Sequence, residues 1–66
     1  MATNKEVQVI QNSTYYEILM IEEINRRAGV KVVGLGNLKA KLKASMTEPD
    51  IAWVEKQAAE AFKTLP

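Results

Sequence analysis

The chain has no cysteine and no histidine among its 66 residues. Without cysteine there is no disulfide framework and no thiolate metal site. Without histidine there is no imidazole base, no imidazole ligand and no side chain that changes charge near neutrality in its ordinary state. Long apolar runs are missing too. None exceeds the four residues of Ile18-Leu19-Met20-Ile21, far below the ~20 residues of a membrane span. The N-terminal stretch Met1 to Glu6 is followed by alternation and not by the apolar core of a secretion signal. Excess charge of either sign is also lacking, since nine basic and eight acidic residues leave a formal net charge of +1. These absences point to a protein outside the membrane in a reducing compartment, the cytoplasm, that works without metal or cofactor.

What is present is apolar. Hydrophobic residues make up 47% of the chain and charged residues only 26%, which is a folding composition and not a disordered one. Sixty-six residues suffice for one small domain, spanning 1–66. A domain of this size buries only about 60% of the surface its unfolded form exposes.

The alternation of Val7 and Val9 with Glu6 and Gln8 predicts a short strand over Lys5 to Gln11, ended by Asn12 and Ser13. Thr14-x-x-Glu17 has the form of a capping box and predicts a helix from Tyr15 to Ala28, closed by Gly29 in the left-handed region. Val30 to Val33 is expected as a second, very short strand, and Gly34-Leu35-Gly36 as a turn. Asn37 would then cap a short helix over Leu38 to Ser45. Thr47 as cap, with Pro49 in the first turn and Glu48 and Asp50 at the positive end of the dipole, marks a third helix reaching Thr64. Its core stripe is Ile51, Val54, Ala58, Ala61, Phe62 and Leu65. The expected class is therefore α+β, mostly helical, in the order strand-helix-strand-helix-helix. Short Ile18 to Ile21 reads as helix or strand equally well.

Two features fit a lone molecule poorly. The first predicted helix is apolar nearly all round, through Tyr15, Tyr16, Ile18, Leu19, Met20, Ile21 and Ile24, and such a helix needs neighbours on most sides. Trp53 lies on the opposite side of its helix from Val54 and Phe62, beside Lys56, Gln57 and Glu60. An aromatic on a polar face is a common interface anchor, although it can also fold over its own helix. Self-association is expected, because two short strands make a marginal sheet that pairing across copies would complete. The candidate contact residues for a second copy or a larger protein are Trp53, Tyr15, Tyr16, Lys56 and Gln57.

The charges are unevenly distributed. Arg26, Arg27, Lys31, Lys39, Lys41 and Lys43 follow one another with no acidic residue between them. With Gly34 and Gly36 this stretch offers an alternative reading, a nucleic-acid or anion site with backbone N–H groups turned toward phosphate. The glycine spacing matches neither the dinucleotide fingerprint nor the nucleotide-hydrolase phosphate loop, and a glycine turn with solvated lysines explains it as well. The acidic start of the third helix argues against a helix-turn-helix docked in a groove. Catalysis finds little footing. No base stands beside Ser13 or Ser45, and Glu22 and Glu23 point about 100° apart on a helix, poor placement for sharing a proton or a metal.

The run Val30-Lys31-Val32-Val33-Gly34-Leu35-Gly36-Asn37-Leu38-Lys39-Ala40-Lys41-Leu42-Lys43, with Met46 to Phe62 after it, resembles tail-completion (neck) proteins of tailed phages. In that family a short strand leads through Gly-Leu into a lysine-rich amphipathic helix and then an alanine-rich one. The resemblance implies a structural or accessory phage protein that works by assembling, in the host cytoplasm or the virion. It carries no catalytic residue across. The family's pattern opens near the N-terminus, whereas 29 residues precede it here.

Overall fold

The computed structural model describes residues 4–66, with the side chain of Asn4 left aside. Three helices account for the described residues: α1 (Asn4–Ala28), α2 (Leu35–Ala44) and α3 (Glu48–Phe62). No strand occurs among them, so the α+β expectation is corrected to an all-helical domain.

The correction has a local cause. Lys5 to Gln11 forms the first two turns of α1 and not a strand. Val7, Ile10 and Thr14 are three and four apart as well as being interleaved with polar residues, so the same segment satisfies a helical period. Thr14 is not a cap. Its hydroxyl donates to the Ile10 carbonyl at 2.9 Å, one of the back-bonds by which threonine is accommodated inside a helix. With the first strand gone, Val30 to Val33 has nothing to pair with and runs as an irregular link, Val33 being 96% exposed. The idea of a sheet completed across copies falls with it.

Ala28 ends α1 as expected. Gly29 takes φ 74°, its N–H donates to Arg26 O at 3.2 Å, and the Val30 N–H donates to Asn25 O at 2.8 Å. This paired closure satisfies two carbonyls that the helix would otherwise leave unpaired. α2 begins earlier than expected. Gly34, at φ 94°, is its N-cap, so Gly36 and Asn37 are helical and Asn37 does not cap. α3 starts as its sequence predicts, the Thr47 hydroxyl accepting from the Asp50 N–H at 3.3 Å.

Side-chain pairs fix the arrangement. Lys39 meets Glu22 and Gln11 meets Ser45, so α2 runs back along α1. Tyr15 meets Glu55 and Arg27 meets Phe62, so α3 runs in the same direction as α1. The core between them is small. Tyr15, Ile18, Val54 and Ala58 are its buried members, and Ile51, Ala61, Phe62 and Leu65 complete the expected α3 stripe half-buried. The radius of gyration is 12.6 Å and the extents are 40 × 25 × 20 Å. A compact chain of this length would have a radius near ~11 Å. The excess length lies in α1, whose Gln11 already reaches the end of α2, leaving the turns before it uncovered.

Candidate functional site

α3 turns Val54 and Ala58 into the core. The neighbouring position, Trp53, is about 100° round the helix and therefore stands at the edge of the α1–α3 seam, 58% exposed. α1 supplies the other wall. Val9, Asn12, Ser13, Tyr16 and Glu17 face Trp53, Val54 and Gln57 across an open groove of about 670 Å³. Val9 is 57% exposed and Tyr16 half-buried, so the groove presents an apolar lining to solvent. Asn12 adds one polar atom in the wall, a buried Oδ1 with no hydrogen-bond donor.

The expected contact residues thus separate. Trp53, Tyr16 and Gln57 come together in this groove. Lys56 is exposed but lies outside the lining. Tyr15 is corrected from contact residue to core residue: its relative exposure is 0%. Its hydroxyl donates to Glu55 Oε2 at 2.8 Å. Burial first, then the Glu55 carboxylate and the charge of Glu22, push its pKa up to about 12, so the hydroxyl keeps its proton and remains a donor. Tyr15 adjoins Tyr16 on a helix that reads as apolar all round, so the sequence offers no means of telling the two tyrosines apart. Val9 joins the groove because α1 begins before it; a strand over Lys5 to Gln11 gives it no such place.

The basic stretch is not one surface. Arg26 and Arg27 both donate to Glu23, at 2.7–2.9 Å. These hydrogen bonds hold the Glu23 carboxyl down at about 2, and the carboxylate in turn raises Arg26. Arg27 also reaches across to the end of α3, donating to Phe62 O at 2.7 Å and Leu65 O at 3.4 Å. A cation there satisfies carbonyls at the negative end of the helix dipole. Lys39 is paired with Glu22 at 3.0 Å. Lys31, Lys41 and Lys43 remain without an acidic partner among the described residues. Lys31 lies in a second open groove of about 640 Å³ with Arg26, Glu22 and Glu23, where acid and base are mixed. Gly34 and Gly36, proposed as a phosphate cradle, are the cap and an interior residue of α2.

Chemistry of other kinds has little material. No group of three or more metal-ligating side chains occurs among the described residues. No helix of the described residues is long and apolar enough to cross a membrane. Comparison with known proteins finds no matching family model, no similar curated protein and no similar solved structure.

Proposed function

We propose that this protein is a non-catalytic assembly protein, which acts by placing apolar helix faces against protein, first of all against copies of itself. One observation carries the reading. Four residues are buried, while ten large apolar side chains are more than 40% exposed. Isolated exposed apolar residues are ordinary on any surface, but an imbalance of this kind in a small domain marks a contact surface.

The nucleic-acid alternative is less well supported by the same structure. Three of its six cations are engaged with Glu22, Glu23 or the end of α3, which leaves fewer of them for a phosphate backbone. The resemblance of Val30 to Phe62 to phage tail-completion proteins agrees in kind with an assembling role, although Val30 to Val33 is here an irregular link. The setting proposed is the cytoplasm, or a virion if that resemblance reflects kinship.

Light scattering over a range of concentrations tests the proposal. Masses above the 7.4 kDa of one chain, increasing with concentration, are expected, and nucleic acid should leave them unchanged. A mass of one chain at every concentration refutes it. Trp53, at the groove edge, is assigned to contacts beyond the smallest oligomer. Trp53→Ala should keep the helix content and weaken those contacts by ~2 kcal/mol or more, as buried aromatic anchors do.

A further inference from the structure

The inward stripe of α1 is Gln11, Tyr15, Ile18 and Glu22, each of which meets α2 or α3 or is buried. A second stripe lies about 100° round the helix from it. Val7, Ile10, Thr14, Glu17, Ile21 and Ile24 follow one another at steps of three and four, the spacing of a coiled-coil seam. Val7 is 42% exposed, Ile10 64%, Ile21 43% and Ile24 51%. Thr14 is half-buried and Glu17 borders the α1–α3 groove, so the exposed apolar part of the stripe is Val7, Ile10, Ile21 and Ile24, on the longest helix of the fold.

The order of residues along the stripe is self-complementary when reversed. Laid against a second α1 running the opposite way, Val7 meets the partner's Ile24, Ile10 meets the partner's Ile21, and Thr14 meets the partner's Glu17. Each layer recurs once through the two-fold axis, as a symmetric pair requires. The polar residues fall together at the centre and the apolar ones on either side. The Thr14 hydroxyl, which donates to its own helix at 2.9 Å, has only to turn to donate to that carboxylate. A parallel pair in register would instead set Glu17 against the partner's Glu17, two like charges in one layer, and would align the helix dipoles head to head. The same reversed register centres the two helices on each other to within a residue, so that nearly all of the 25 residues of α1 overlap.

That overlap is about 37 Å long at 1.5 Å per residue. A contact strip roughly 15 Å wide over this length covers ~550 Å² a side, or ~1,100 Å² in all, just above the size at which protein interfaces become specific. We infer that two copies of this chain pair through the outer face of α1, antiparallel, with Ile10 against the partner's Ile21. The inference rests on the assembling role proposed above and gives it a surface, a stoichiometry and a direction.

Because the chain has no cysteine, single introduced thiols report the register without interference. Ile10→Cys and Ile21→Cys change exposed positions, and circular dichroism confirms that each variant keeps its helices. A short thiol cross-linker should join an equimolar mixture of the two variants into a covalent dimer and leave each variant alone uncoupled. Two residues of type 10 would stand about 16 Å apart in the antiparallel pair, eleven residues along the axis. Cross-linking of Ile10→Cys with itself would show a parallel pair and overturn the inference, and so would the absence of any cross-link in a sample that light scattering shows to be associated. In that second case the assembling role survives and only the surface is wrong, whereas a single-chain mass at all concentrations removes both. Ile21→Lys supplies an independent measure. It should raise the dissociation constant about 30-fold or more, and an unchanged constant overturns the assignment.

Discussion

Replacing Tyr15 by Phe isolates one hydrogen bond in the middle of the core. The ring remains, so packing against Ile18 and Val54 is kept, and only the hydroxyl that donates to Glu55 at 2.8 Å is lost. Hydrogen bonds to charged groups contribute about 1.5–3 kcal/mol. Glu55 is exposed and regains water once the hydroxyl has gone, so a loss of about 1–2 kcal/mol is expected. A domain of this length has roughly 3–10 kcal/mol of stability in total. At about 4–8 °C per kcal/mol for small domains, the melting temperature should fall by roughly 4–16 °C. The pH dependence identifies the cause. Tyr15 holds its proton more tightly in the fold, up to about 12, than in the unfolded chain at 10. Its contribution is therefore complete below pH 10 and is lost as pH rises from 10 to 12. Helix melting followed by circular dichroism, at one protein concentration to hold association fixed, should show a gap between wild type and Tyr15→Phe that is constant from neutral pH to about 10 and then closes. An unchanged melting temperature, or a gap that persists to pH 12, would refute the assignment of this bond.

Two glycines two positions apart should respond with opposite sign. Gly34→Ala places a side chain at φ 94° with nothing within 4 Å of its Cβ, so it should destabilise by about 1 kcal/mol through backbone strain alone. Gly36→Ala sits inside α2, also with open space around it, and should stabilise by ~0.5 kcal/mol. Denaturant midpoints for both variants check the pair. In acid, the Glu23 carboxylate stabilises the fold above pH 4.5 and ceases to do so as pH falls from 4.5 to about 2, because its folded value is depressed. Glu23→Gln should therefore melt below wild type at pH 7, and the two melting curves should converge over that acid window.

The parts of the fold that were legible in the sequence are those fixed by local chemistry. Thr47 with Pro49 marked the start of α3, Gly29 marked the end of α1, and the stripe led by Val54 and Ala58 marked its buried face. Each of these depends on groups within a turn of one another. The start of α1 was not legible, because Val7 and Val9 fit a period of two as well as Val7 and Ile10 fit a helical one. Thr14 is equally ambiguous, since a hydroxyl that caps a helix can also bond back inside one. Trp53 was identified by its position against the core stripe. Its groove partner Val9 could be placed only once α1 was known to begin before it. The fate of the cations depended on contacts across the fold, such as Lys39 with Glu22, that spacing along the chain does not reveal.

The Arg27 guanidinium has a bearing on how the chain reaches this shape. The carbonyls at the end of α3 accept from a side chain at the far end of α1 as well as from the chain's own N–H groups, so the close of the last helix is fastened to the first. Opening of the first helix should accordingly release amide protons near residue 64 together with its own, and hydrogen exchange would record the beginning and the end of the chain as a single cooperative unit.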